Sequence, residues 1–245
     1  SVEATAGAKM VYLIRRKVGA SREELVAHWF GNHMPGVIEG QQAQAAAGRR
    51  AAWRYIATVF DAAEAADAGG ERAWDGMAQL YWDEPLHRRV LHGDPPTDTF
   101  QEKAEPYVHW GTREYVVMDG SDRLPVEPLT PNAPFPTTRS GFFKVSALLK
   151  ARAGTDFEAL FAHWLEVHAP NVRSVMESVG GFRYVVSHSL EPSEEPFAGM
   201  AELYFRDASG WAAYIEAFEA DGMEEWVDSE GTVVLTSGTE MIGIP

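Results

Sequence analysis

The string HWFGNHMPGV at residues 28–37 returns as HWLEVHAPNV at residues 163–172, with His, Trp, His, Pro and Val in register. Two further echoes keep the same order. WRYIATVF (53–60) meets FRYVVSHS (182–189), and GMAQLYW (76–82) meets GMAELYF (199–205). The offset between partners shrinks from 135 to 129 to 123 residues, as it would if loops were trimmed while the elements between them were kept. Two copies are too few for a solenoid, which stacks three or more units. The repeat therefore predicts a pair of sister domains, and 245 residues supply two cores of ordinary size.

The formal net charge of -15 lies mostly in the second copy. Residues 1–120 carry 13 Lys and Arg against 17 Asp and Glu, and residues 121–245 carry 8 against 19. A phosphate backbone or an anionic bilayer would be repelled, so neither nucleic acid nor membrane is expected as a partner. Cysteine is absent, which removes disulfides, thiolate zinc sites and a Cys nucleophile. The segment SVEATAGAKM lacks the apolar stretch of a signal peptide, and no run approaches the ~18 apolar residues of a membrane span. The expected location is cytoplasmic.

Pro125, Pro128, Pro131, Pro134 and Pro136 crowd the stretch between the copies. Each removes a backbone donor and biases its predecessor toward extended geometry, which predicts a semi-rigid linker over 121–139. The domains are then 1–120 and 140–245. Each copy reads strand, helix, strand, strand, helix, strand. First strands fall at 9–17 and 141–150. Capping-box pairs Ser21/Glu24 and Thr155/Glu158 start the helices that carry the HW motif, which end near Pro35 and Pro170. Strands follow at 52–60 and 76–82, mirrored at 181–189 and 199–205. A second helix is expected over Ser209–Trp226, and REYVVMD or TVVLTS closes each copy.

This βαββαβ order is that of a ferredoxin-like sandwich, whose helices cover one sheet face. Trp53, Tyr55, Ala57 and Val59 make one face of the second strand apolar, while Ile56 and Phe60 make the other so. A sheet apolar on both sides needs cover on both. The expectation is an α+β protein in which the two antiparallel sheets meet face to face and close a pseudo-dimeric α/β barrel with helices outside. An intramolecular pseudo-dimer could pair again as a homodimer.

The H-W-x3-H-x-P motif, the Arg-Tyr strand and the Gly-x-Ala-x-Leu-aromatic strand, each present twice, resemble the EthD domain of the dimeric α/β-barrel superfamily. The resemblance implies a ferredoxin-like fold for each copy and a barrel formed by pairing. It also implies a range of activities: an oxidoreductase link through ether-degradation operons, and cofactor-free lactone isomerases and polyketide dehydratases or decarboxylases. More distant barrels bind haem.

On a helical wheel Trp164, Phe157, Leu160, Phe161 and His168 share one stripe, and Leu25, Trp29 and His33 repeat it. His168 is expected under the helix end at the rim of the sheet, bonded at the least to a backbone carbonyl. His28 and His163 fall about 100° off the stripe as flank residues. A metal pair needs both ligands on one helix face, and these histidines are five apart; no metal is expected. Neither a P-loop nor a dinucleotide fingerprint follows a strand, and Gly69–Gly70 and Gly180–Gly181 read as turns.

His188 and Tyr184 share a strand face, and Glu202 stands where the first copy has Gln79. A site in which His168, His188 and Glu202 handle protons while Tyr184, Trp164, Tyr204 and Phe161 hold the ligand is therefore expected in the second copy. The plainer alternative pairs Glu202 with Arg183 or another strand neighbour. His33, Trp29 and Tyr55 would be structural counterparts. The function expected is a cofactor-free enzyme for a small apolar or aromatic, oxygen-bearing substrate. A haem barrel with His168 as ligand, and a binding or assembly module without turnover, are the rivals.

Overall fold

A computed structural model describes residues 2–62, 73–86, 98–124 and 134–245. In chain order the elements are β1 (Ala8–Ile14), α1 (Arg22–His28), α2 (Met34–Ala46), β2 (Arg54–Val59), β3 (Gly76–Trp82), α3 (Thr99–Lys103) and β4 (Val108–Met118), then β5 (Thr137–Leu149), α4 (Phe157–His163), α5 (Ala169–Ser178), β6 (Arg183–Ser189), β7 (Gly199–Phe205), α6 (Ala208–Ala217) and β8 (Val233–Ile244). The βαββαβ order thus occurs in both halves. Hydrogen bonding links the strands as β1-β3-β2-β8-β5-β7-β6-β4, a closed-barrel order. Pairings such as β1/β3, β2/β8, β4/β6 and β5/β7 are antiparallel.

The chain divides into two compact units, Gly7–Gly111 with Val126–Ser140 and Thr239–Pro245, and Ser1–Ala6 with Thr112–Pro125 and Gly141–Gly238. In the first, β2 pairs on one side with β3 and on the other with Tyr55↔Ile244 through Val59↔Thr239 of β8. In the second, β6 pairs with β7 and with Thr112↔Ser189 through Met118↔Tyr184 of β4. The closing strands are therefore not confined to their own halves. REYVVMD pairs with β6, and the far end of β8 pairs with β2. At ~3.4 Å per residue, strands of 11 and 12 residues are long enough to serve two ladders.

Each unit has a core between its sheet and its helices. Met10, Leu25, Trp29, Ile38, Tyr55 and Phe100 belong to one; Val145, Leu160, Trp164, Met176, Tyr184 and Phe205 to the other. The motif tryptophans are the largest fully buried side chains, together with Trp110. Removing ~150–250 Å² of each from water contributes about 4–6 kcal/mol. The repeated glycine at the head of β3 and β7 follows from the same packing. A Cβ built at Gly76 would lie 2.4 Å from the Trp29 ring, and one at Gly199 would lie 2.9 Å from the Trp164 ring. Only glycine lets each indole reach the sheet.

The motif helices do not end at their prolines. Trp29–His33 and Trp164–His168 are π-helical turns, and α2 and α5 run on directly with Pro35 and Pro170 in their first turns. The Met34 N–H reaches back five residues to the Trp29 carbonyl, and the Ala169 N–H does the same to Trp164. A proline ring clashes with the carbonyl four residues back in a regular α-helix; the widened turn before it removes that conflict. His33 and His168 thus close a π turn inside a continuous helix instead of capping its end.

Other local expectations divide. Ser21 and Glu24 form both arms of a capping box. The motif helix of the second half is capped by Asp156, whose side chain accepts the Ala159 N–H, because Thr155 Oγ1 donates instead to the Arg152 carbonyl at 2.6 Å. The helix read over Ser209–Trp226 stops at Ala217, with Phe218 extended and Gly222 at φ 96. Pro125, Pro128 and Pro131 of the linker and the Gly69–Gly70 turn lie outside the described residues. Gly180, at φ 81, is a turn glycine.

Candidate functional site

The face of β6 that points to the helices in the second unit carries Tyr184, Val186 and His188, and the π turn above it brings Trp164 and His168. His168 Nδ1 lies 2.7 Å from Asp221 Oδ2. Asp221 is held from three other sides: Asn171 Nδ2 donates to Oδ2 at 3.1 Å, the Met223 N–H donates to Oδ1 at 3.1 Å, and His163 Nε2 stands 3.7 Å from Oδ1. Burial acts to raise the Asp221 pKa, but these donors outweigh it and hold the carboxyl below its ordinary range. Desolvation lowers the His168 pKa despite the neighbouring carboxylate. The pair is therefore a neutral imidazole on an ionised carboxylate near pH 7. Nδ1 carries the proton and Nε2 the lone pair, an assignment that follows from the hydrogen bond.

The Tyr184 phenol is fully buried, and desolvation pushes its pKa far up, so the hydroxyl stays protonated. The charge of Asp221 reaches it and adds to the rise. The Trp164 indole N–H approaches the same oxygen, yet neither atom completes a hydrogen bond. His168 thus bonds Asp221, whose charge reaches Tyr184, and the Trp164 indole lies beside that phenol. Phe218 meets the His168 ring edge-on at 5.5 Å, and stacks on Tyr214 at 5.4 Å.

His188 stands apart from that carboxylate. Its ring is walled by Phe161 at 4.0 Å, Trp164 at 4.9 Å and Tyr115 at 5.2 Å. Nε2 is buried without a hydrogen-bond partner, and burial drives the pKa down to about 3. It is a neutral part of the aromatic wall.

Glu202 and Tyr204 are on the other face. Glu202 sits opposite Val185 and Ser146, and Tyr204 opposite Arg183 and Lys144, so both point away from Tyr184 and His188. Glu202 forms an ion pair with Lys144 at 2.6 Å, with 4% and 0% of the two side chains exposed. The expected convergence of His168, His188 and Glu202 does not occur; the cross-strand ion pair does, with Lys144 as partner. Lys144 also lies 5.0 Å from the Tyr204 ring centre.

The first unit repeats the helix-side constellation. His33 Nδ1 is 2.6 Å from Asp98 Oδ2, and His28 Nδ1 is 2.7 Å from Thr99 Oγ1. Both histidines thus bond side chains and not carbonyls. Asp98 also caps α3, where Oδ1 accepts the Gln101 N–H. Tyr55 is buried, with its pKa raised by desolvation and by the nearby charge of Asp98. Sequence reasoning passes over Asp98 and Asp221, although they are 123 residues apart, the offset of the two glycine strands. Among the described residues no three His, Asp or Glu side chains gather as a metal site. No described helix is long and apolar enough to cross a membrane.

The stretch that builds the second of these constellations is the one that known sequences recognise. Residues 152–230 match the EthD domain family. The matched stretch contains His168, Asn171, Tyr184 and Asp221. No curated protein matches the chain. Among solved structures, an anthrone oxidase-like protein aligns at 11% identity over 98% of this chain and 94% of its own, with a TM-score of 0.55. Chlorite dismutase from Candidatus Nitrospira defluvii, in complex with imidazole, aligns at 9% identity over 95% and 91%, with a TM-score of 0.50. A haem-binding protein from Thermus thermophilus reaches 10% identity over 99% and 92%, with a TM-score of 0.45. At these identities the likeness to the anthrone oxidase-like protein and to chlorite dismutase shows a shared α/β-barrel fold, and no more.

Proposed function

We propose that the chain is a cofactor-free enzyme that moves protons on a small apolar or aromatic, oxygen-bearing substrate, with His168 as base and acid. The observation that carries this is the 2.7 Å hydrogen bond between His168 Nδ1 and Asp221. A carboxylate at Nδ1 fixes the ring, leaves the Nε2 lone pair for a proton, and stabilises the imidazolium that forms. Desolvation keeps the imidazole neutral beforehand.

Proton abstraction beside a carbonyl is the step shared by isomerisation, dehydration and cofactor-free oxygenation. His168 Nε2 takes the proton from carbon, and the C–H electron pair moves into the carbonyl, which becomes an enolate. The protonated Tyr184 hydroxyl is the group suited to donate to that oxygen. The imidazolium then returns the proton to another carbon or to a departing oxygen. Phe161, Trp164 and His188 form an apolar wall suited to a flat ligand. The recurrence of this architecture is best read as a tandem duplication of a ferredoxin-like unit.

Haem on His168 Nε2 is the second reading, because a carboxylate hydrogen-bonded at Nδ1 is also the usual outer partner of a metal-ligating histidine. His188, at 4% exposure with Phe161 stacked on it, is sealed.

Thermal-shift screening of ketones, lactones and polyphenols should find a stabilising ligand, and turnover assays on the hits should find a substrate. A ligand at 100 times its dissociation constant adds ~2.7 kcal/mol. His168→Gln should then lower kcat by ~10²–10⁴ with the fold intact. Undiminished turnover in that variant would overturn the assignment.

A further inference from the structure

We infer that the first unit carries a second acid/base site, centred on His33 and Asp98, which takes a planar phenol or aryl ketone. This rests on the reading of the His168 site, since it assigns the same chemistry to the same three groups. The His33–Asp98 contact of 2.6 Å matches the 2.7 Å of its counterpart, and the two imidazoles keep nearly equal exposure, 17% and 18%. Burial works to raise the Asp98 pKa, but the His33 hydrogen bond and the Gln101 and Phe100 N–H groups hold it below the ordinary carboxylate range. Asp98 is thus ionised, and His33 presents Nδ1 to it, which leaves Nε2 for a ligand. The Tyr55 hydroxyl, kept protonated by burial, stands within reach of the Asp98 charge, as Tyr184 does for Asp221.

A pair with only a structural role would need neither the buried phenol nor an open approach. Gly36, at the motif position of Asn171, is exposed, and a Cβ built there would meet nothing within 4 Å among the described residues. The ligand class follows from the flanking rings. Phe100 packs on His33 at 4.5 Å and stacks on Tyr107 at 6.2 Å, and Tyr12 meets Tyr107 edge-on at 6.4 Å. Flat aromatic flanks around an imidazole and a phenol donor suit a planar ring bearing one oxygen.

The test is calorimetric titration of the full chain with 1-naphthol, using wild type, His33→Gln, His168→Gln and Asp98→Asn. Two equivalents in wild type, one of them lost in His33→Gln, is the expected result. Asp98→Asn, which can keep the cap of α3 but takes the carboxylate from His33, should weaken that one equivalent at least tenfold, and it decides the matter if His33→Gln does not fold. A single equivalent lost only in His168→Gln would overturn this inference and leave the first reading standing. A single equivalent lost only in His33→Gln would support this site and overturn the first. Absence of binding in wild type, or binding unaffected by both His33→Gln and Asp98→Asn, would overturn the inference.

Discussion

His188 lies flat against Phe161, with ring centroids 4.0 Å apart and planes within 7° of parallel. Such a ring has no room for the water an imidazolium requires, and burial alone accounts for its fall to a pKa of about 3. In the unfolded chain the same ring titrates near ~6.5. The unfolded state therefore binds more protons between those values. The stability this residue contributes is complete above pH ~6.5 and is lost as pH falls toward ~3. Acidification from pH 7 to 5 should remove about 2 kcal/mol through His188. His188→Val, the residue of the first half, should flatten that slope in urea unfolding at pH 7, 6 and 5. Parallel slopes for variant and wild type would refute the assignment.

Asp221→Asn tests the hydrogen bond to His168. The amide oxygen or nitrogen can still meet Nδ1, but it no longer enforces the tautomer or offsets the imidazolium. Once a substrate is in hand, kcat should fall by ~10³–10⁴ while the circular dichroism spectrum is kept. A loss below tenfold would make Asp221 dispensable to the chemistry.

The Lys144–Glu202 pair predicts a non-additive result. Lys144→Met removes the ammonium 2.6 Å from the buried Glu202 carboxylate and should destabilise by ~3–5 kcal/mol. Adding Glu202→Leu removes that charge and should recover most of the loss. Denaturant midpoints of the two single variants and the double variant check this, and strictly additive losses would contradict it.

Gly76→Ala and Gly199→Ala test the seat of the motif tryptophans. The added methyl would press on Trp29 in one case and on Trp164 and the Ser187 carbonyl in the other. Overpacking of this kind destabilises by ~1–3 kcal/mol. Trp29→Phe should rescue Gly76→Ala in part. Unchanged melting temperatures for both alanine variants would show that the indoles can retreat.

Much of the fold was legible because its strongest constraints are local. The glycine strands match residues 76–82 and 199–205, since one glycine per strand must admit an indole. The helix-side face of Tyr184 and His188 was readable from alternation within one strand. Glu202 was not: its face depends on the register of β7 against β6, where a slip of one residue reverses every side chain. The prolines misled because a π turn absorbs the conflict that would otherwise stop a helix. Asp98 and Asp221 lie outside any periodic element, so only their shared offset marks them, and the hydrogen bonds they make are tertiary.

The pairing of β8 with β2 has a bearing on biogenesis. Thr58 and Glu240 are hydrogen-bonded partners 182 residues apart. At ~5–20 residues per second, a ribosome takes roughly 10–40 s to bridge that interval. Throughout that time the β2 edge is synthesised but lacks its native neighbour, and an unpaired edge recruits whatever strand it meets. Until residues 239–244 arrive, β2 keeps one unpaired edge, and a contact so distant in sequence is expected to close slowly.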